Sequence, residues 1–312
     1  MSTESQALPE TDPVAGRAAP VRPRRRQSTS HGERPALLVR ILATALLILA
    51  AGYFLLPVYW MLVASTKSSS ELFSTPGFAF ADLQLGHNLA ELSSYDGGIY
   101  WRWVGNTIVY SVIGSLLTVA VCAACGYALA IFRFRGRALL LAAVLGSLLV
   151  PNTVLAQPTY LLVVQLGLNN TYWGVLLPSM VFPFGVLLCT IFAQSSIPPE
   201  LLEAARLDGA GELRIFWMIG LRLMSTGVVT VLLFAFLGSW NNYMLPLLVL
   251  TDQKLMPLTV GLTGWNSSAI TIPGLQILVV VGSLVSVLPV MLVFIALQRF
   301  WRSGLTTGAV RL

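Results

Sequence analysis

Long stretches of this chain carry no charge. Residues 41–66, 103–132, 138–199, 223–251 and 255–298 contain no Asp, Glu, Lys or Arg, and a helix needs about 20 apolar residues to cross roughly 30 Å of hydrocarbon. Set against turn residues, these stretches predict six spanning helices at 37–64, 104–131, 138–164, 172–195, 223–250 and 275–298. The interval after Arg137 is long enough for two of them, with a reversal at Gly167-Leu168-Asn169-Asn170. The first helix follows Arg22, Arg24, Arg25 and Arg26 as a signal sequence would. Its apolar run is too long for a signal core and shows no small-residue cleavage pattern, so it is expected to remain as an anchor. The expected fold is all-α, a polytopic membrane protein with six transmembrane helices.

Charge supplies the orientation. Of the residues 56% are hydrophobic and 10% charged, against about 25% charged in soluble domains. Arg17, Arg22, Arg24, Arg25, Arg26, Arg34 and Arg40, then Arg133, Arg135 and Arg137, then Arg206, Arg214 and Arg222, then Arg299, Arg302 and Arg311 fall on one side of the six helices. The other side holds Lys67, Arg102 and Lys254. Basic loops stay in the cytoplasm, so both termini and the loops 132–137 and 196–222 are expected there, with 65–103 and 251–274 outside. The first 35 residues are rich in Pro, Ser, Thr and Arg and lack apolar periodicity, so a disordered head is expected. The resulting plan is a head at 1–35, a six-helix domain at 36–298 and a cytoplasmic tail at 299–312.

Little in the chain suggests bond-making chemistry. There is no G-x-x-x-x-G-K-[ST] phosphate loop, and the only lysines are Lys67 and Lys254. No Ser, His and Asp set and no paired carboxylates share a span. Cys122, Cys125 and Cys189 read as small packing residues, and His31 and His87 lack partners at metal-ligand spacing, so no metal site is expected. The polar residues Asn152, Gln157, Tyr160, Asn241 and Asn242 do interrupt apolar surroundings. Such residues face a cavity or another helix, and the sequence leaves both roles open. Pro151, Pro158, Pro183 and Pro246 are candidate kinks beside them. A path lined by amides and aromatics suits a neutral solute.

The loop 196–222 is built to fold. Ser196 is placed as an N-cap, Pro198 and Pro199 as a first turn, and Glu200 and Glu203 near the positive end of the helix dipole. The helix is expected to stop at Asp208-Gly209, where a glycine takes the left-handed conformation. A second helix follows, with Leu213, Phe216, Trp217 and Gly220 at the spacing of one face. Periodicity alone fits a rigid protrusion toward another protein and a hairpin lying on lipid headgroups equally well.

The string Glu203-Ala204-Ala205, Asp208-Gly209-Ala210, Phe216 and Ile219-Gly220-Leu221 resembles the signature loop of ABC importer permeases. Pro57-Val58-Tyr59-Trp60-Met61, Ser65-Thr66-Lys67, Glu71, Asn106-Thr107, Trp240-Asn241-Asn242, Thr259-Val260-Gly261-Leu262 and the tail from Gln298 to Val310 are similar to the carbohydrate branch of that family. The resemblance implies a bacterial inner-membrane protein that pairs with a second permease, most simply as a heterodimer. Two cytoplasmic ATPase subunits would bind the ATP and Mg, and an extracytoplasmic solute-binding protein would deliver a sugar. This chain itself would then bind no cofactor and no nucleic acid. It implies that Glu203, Ala204, Ala205, Asp208, Gly209 and Ala210 form the coupling helix that docks on an ATPase. It also carries Gly304, Leu305, Thr306 and Gly308 toward that interface, while Trp265, Asn266 and Ser267 are candidates for meeting the binding protein. A permease for another small polar solute, or an independent secondary carrier, is the alternative. Leu221-Arg222 and Ser225-Thr226 depart from the prolines usual after this loop, which predicts a straighter lead into the fifth span.

Overall fold

Proline, which lacks an N–H, decides where several of these helices break. The computed structural model describes residues 37–308, with side chains as far as 296, and all regular elements among the described residues are helical. The chain divides into two units, Met1–Gly52 and Tyr53–Leu312. The described part of the first is helical from Leu37 and carries exposed apolar side chains such as Leu42, Leu46 and Leu49. In chain order α1 is Leu37–Ser65, α2 Leu85–Ser94, α3 Ile99–Ile131, α4 Arg137–Ser147, α5 Asn152–Gln165, α6 Tyr172–Ser179 and α7 Pro183–Ser196. Then come α8 Pro199–Leu207, α9 Glu212–Leu223, α10 Ser225–Trp240, α11 Met244–Val249, α12 Leu258–Ser268 and α13 Leu275–Gly308.

Three stretches, Leu37–Ser65, Leu85–Ile131 and Leu275–Ala296, are long and apolar enough to cross a membrane unaided. The pairs α4–α5, α6–α7 and α9–α10 reach that length only together, bent by 110°, 42° and 81°. The single helix expected over 138–164 is therefore two, and the one expected over 172–195 is also interrupted. The helix expected over 223–250 stops at Trp240 and resumes as α11. At 148–150 the N–H groups reach back only three residues, to the carbonyls of Leu145, Gly146 and Ser147, before Pro151 takes an extended conformation. Pro183 cannot donate to the Ser179 carbonyl four residues earlier, and Thr118 Oγ1 of α3 donates to it instead at 3.0 Å. Pro246 leaves the Asn242 carbonyl open in the same way, and Thr259 Oγ1 fills it at 2.7 Å. Within a bilayer such carbonyls have no water to turn to, so a neighbouring hydroxyl keeps the break affordable. At the far end α13 continues past residue 298 to Gly308. The expectation for the head at 1–35 lies outside the described residues.

One helix touches every part of the core. Tyr100 and Trp103 of α3 pack with Trp240, Trp265 and Leu278, Tyr110 packs with Val163, Val175 and Val249, and Cys122, Ala123 and Tyr127 pack with Cys189, Leu202 and Ile215. Small residues on α3 let its neighbours close in, as is usual where lipid tails compete for apolar surface. A Cβ on Gly126 would run into Cys189 of α7, and one on Gly185 of α7 would lie 2.8 Å from Cys122 Sγ. Cys122 and Cys189 are thus buried packing residues, while Cys125 is exposed.

The first end of α3 is held by hydrogen bonds. Asn106 Nδ2 donates to the carbonyls of Lys254 and Met256 at 2.8 and 2.9 Å, and Trp103 Nε1 and Tyr110 OH donate to those of Gln253 and Leu255. Thr107 Oγ1 accepts the N–H of Leu258, and Asn106 Oδ1 accepts the Tyr172 hydroxyl. The reversal at 167–170 joins the same end, with Gly167 and Asn170 at positive φ and Asn170 Oδ1 accepting the N–H groups of Thr251 and Asp252. After α1, the buried Lys67 ammonium donates to Thr75 Oγ1 and to the Pro76 carbonyl, and Asn88 Nδ2 donates to the carbonyls of Ser65 and Lys67. Glu71 accepts from Ser68 N and Oγ, which holds its carboxyl below the usual range.

Candidate functional site

Where α5, α6 and α10 stand off from α3, they leave a cavity of about 850 Å³. Its wall includes Gly114 and Thr118 of α3, Asn152, Thr153 and Thr159 of α5, Ser179 at the end of α6, Ser239 in the last turn of α10, and Asn241, Asn242 and Tyr243 at the break after it. Among the described residues no Asp, Glu, Lys, Arg or His lines it. Three of the lining hydroxyls donate to nearby carbonyls: Thr118 to Gly114, sharing its proton with the Ser179 carbonyl, Ser179 to Leu176 and Ser239 to Tyr110. Asn241 Nδ2 closes the end of α10 on the Leu237 carbonyl at 2.8 Å. The side-chain amides of Asn152 and Asn242 make no hydrogen bond among the described residues, so both keep a donor and an acceptor for the cavity. Of the five predicted lining residues, Asn152, Asn241 and Asn242 are on the wall. Tyr160 packs into the cluster around Tyr110 and Val163, and Gln157 is exposed away from the cavity. Thr153 and Thr159 were missed because the polar residues of α5, Asn152, Thr153, Gln157, Thr159 and Gln165, are spread round the helix and give no periodicity from which to choose a face.

At the other end of α3 the loop 196–222 forms two helices at a fixed turn. Ser196 does not cap α8, contrary to expectation; it is the last residue of α7, and Pro198 takes the capping position with extended ψ 133. Glu200 lies in the first turn. The helix closes with the N–H groups of Gly209 and Ala210 donating to the carbonyls of Arg206 and Ala205, and Gly209 at φ +80 makes the left-handed exit. Arg206 and Glu212 pair across this turn at 2.7 Å, and that bond keeps the guanidinium charged above its ordinary range. Leu202 faces the core, Ala205 and Ala210 are half-buried against it, and Glu203, Ala204, Asp208 and Gly209 are exposed.

The face predicted for α9 is kept only in part. Ile215 and Gly220 are buried, while Leu213 and Trp217 are exposed. Residues Phe216–Gly220 form a π-helical turn, whose wider winding breaks the 3.6-residue count on which the prediction rested. The turn seats Tyr127 of α3: its ring centroid lies 5.1 Å from that of Phe216, and a Cβ on Gly220 would come within 2.9 Å of Tyr127 Cε2. The buried Tyr127 hydroxyl has no partner among the described residues. Nor is the lead into the fifth span straight, since α9 and α10 meet at 81° without a proline.

Other predicted positions fall elsewhere. Gly304, Leu305, Thr306 and Gly308 belong to the last turns of α13, and their side chains are outside the described residues. Trp265 is only 8% exposed, packed between Trp103 and Tyr95, so it is a core residue; Asn266 and Ser267 beside it are exposed.

Known proteins resemble this chain along most of its length. The "Arabinooligosaccharides transport system permease protein AraQ" of Bacillus subtilis is 33% identical over 284 residues, 87% of this chain and 96% of that protein. The "Diacetylchitobiose uptake system permease protein NgcG" of Streptomyces coelicolor is 32% identical over 86% of this chain and 87% of its own length. A crystal structure of a bacterial ABC transporter involved in the import of the acidic polysaccharide alginate has a chain with the same fold, at TM-score 0.73 and 23% identity, covering 84% of this chain and 96% of that one. Residues 118–305, which include the cavity wall except Gly114 and the whole loop 196–222, match the binding-protein-dependent transport system inner membrane component family, and the chain belongs to that family.

Proposed function

We propose that this permease forms, with a second permease subunit, a path for a neutral oligosaccharide, and that the loop 196–222 couples the path to ATP hydrolysis on partner subunits. The observation that carries the reading is the 850 Å³ cavity, which offers amides and hydroxyls and no charge. A neutral polyol exchanges its water for such groups without the desolvation penalty an ion would suffer. Relatives named for arabinooligosaccharides and diacetylchitobiose support the same solute class.

In this reading α4–α5 and α6–α7 each count as one span and α10 carries the fifth, six spans put both termini in the cytoplasm, and the Arg-rich loops share that side. The layout is a head at 1–35, a permease domain at 36–298 and a tail at 299–312. Glu203, Ala204, Ala205, Asp208, Gly209 and Ala210 present α8 and its turn to an ATPase cleft, with Gly304, Leu305, Thr306 and Gly308 nearby. ATP and Mg²⁺ bind on two ATPase subunits, and an extracytoplasmic binding protein delivers the sugar. The loop is suited to transmitting force because Leu202 and Ile215 join it to α3 and α7 in one apolar cluster.

The test is uptake of radiolabelled arabinotriose, diacetylchitobiose and raffinose into proteoliposomes holding the complex that co-purifies with this chain. ATP-dependent uptake of at least one sugar is expected, with Asn242→Leu lowering it about tenfold at equal assembly, as loss of a solute hydrogen bond predicts. Solute movement by the chain alone, without an ATPase, would overturn the reading in favour of a secondary carrier.

A further inference from the structure

The loop 196–222 has two limbs, and the second faces a different medium from the first. Helix α9 meets the spanning helix α10 at 81°, so where α10 runs across the membrane α9 lies nearly parallel to its plane. Its depth is set by α3: Tyr127, against which Phe216 and Gly220 pack, is in the last turn before Ile131. From Trp103 to Tyr127 is about 36 Å of helix, slightly more than the roughly 30 Å hydrocarbon layer. That places α9 at the headgroup level. The side chains it turns outward mix two kinds: Leu213 is 76% exposed, Trp217 61% and Met218 51%, and between and beside them stand the exposed Arg214 and Arg222. Arg214 lies along Met218, with Nε 3.3 Å from Sδ.

An apolar stripe carrying Trp, interleaved with Arg, matches the headgroup layer, where indole rings settle and guanidinium groups meet phosphate. A face bound for water would not need Leu213 and Trp217. We infer that α9 is an interfacial anchor whose outer face binds anionic phospholipid, with Arg214 and Arg222 on the phosphates and Trp217 and Leu213 at the level of the first acyl carbons. The inference rests on the loop's geometry and is independent of which solute passes.

The test places the full chain, with the subunits that co-purify, in nanodiscs of phosphatidylcholine and phosphatidylglycerol whose acyl chains are either plain or brominated near the headgroup. The emission of Trp217 is the difference between wild type and Trp217→Phe. Brominated lipid is expected to quench that difference at least twofold while aqueous acrylamide leaves it unchanged. Arg214→Gln with Arg222→Gln is expected to halve the phosphatidylglycerol retained through detergent washing, with phosphatidylcholine unaffected. If Trp217→Phe does not accumulate, a bimane on Leu213→Cys, with Cys125→Ala, reads the same quenching. Quenching by acrylamide and not by brominated lipid overturns the inference. So does a signal shielded from acrylamide only when an ATPase is bound, which would make α9 part of a protein interface instead.

Discussion

The two ends of α3 are held by different physics. At Trp103, Asn106, Thr107 and Tyr110 the helix is fixed by directional hydrogen bonds to backbone groups of 253–258. At Cys122, Ala123 and Tyr127 it is held by apolar contact, and the loop's ion pair, Arg206 with Glu212, joins the loop to itself. Hydrogen bonds weaken steeply once the donor angle falls below about 120°, whereas apolar contact is non-directional. The first end therefore sets register, and Tyr127 at the second meets the loop through ring and apolar contacts that are not directional.

Substitutions at each end test this contrast. The largest effect is expected for Gly261→Leu, because any side chain at Gly261 runs into the Trp103 ring. Overpacking of about 1–3 kcal/mol or more should leave little folded protein on size-exclusion chromatography in mild detergent. Asn106→Leu follows: it strips donors from two carbonyls and leaves the Tyr172 hydroxyl unmet. A buried group left unpaired costs about 1–3 kcal/mol, so a lower melting temperature is expected, and an unchanged one would mean that the clamp is dispensable. Gly209→Val, forced to φ +80, costs about 1–2 kcal/mol. It should leave membrane insertion intact while sugar no longer stimulates ATP hydrolysis; stimulation at the wild-type level would remove α8 from the coupling role. Arg206→Gln breaks a solvent-exposed pair, and its small effect on melting should vanish in 1 M salt. Tyr127→Phe is expected to be neutral, since the hydroxyl has no partner among the described residues. Tyr127→Ala, which empties the seat, is not expected to be neutral.

The residues revealed some of this and hid the rest, for physical reasons. Gly209 was legible because a left-handed exit is a local demand that one residue type meets. The reversal at 167–170 was legible for the same reason. Pro151, Pro183 and Pro246 were legible as candidate kinks, while Pro158 sits inside α5. The sharpness of the breaks was not legible, because hydropathy records length and not direction, and because the hydroxyls that satisfy two of them, Thr118 and Thr259, are distant in sequence. Trp265 was read as a loop residue since nothing nearby announces its contact with Trp103. The face of α9 was half legible: Phe216 and Gly220 do turn inward against Tyr127, whereas Trp217, within the π-helical turn, and Leu213, before it, are exposed. The cavity was half legible: Asn152, Asn241 and Asn242 stand out by polarity, but where polar residues are spread round the helix polarity alone does not say which way Gln157 or Thr153 points.

A 33-residue helix pinned near one end behaves as a tiller. Roughly 25 Å of α3 lies between Tyr110, inside the hydrogen-bonded grip, and Tyr127 under the loop, and only about 6–12 Å between Tyr110 and the cavity residues Gly114 and Thr118. A sideways push of about 4 Å at Tyr127 arrives at the cavity wall as about 1–2 Å, with proportionately greater force. Such geometry would turn a wide stroke at the loop into a short, strong one at the cavity wall.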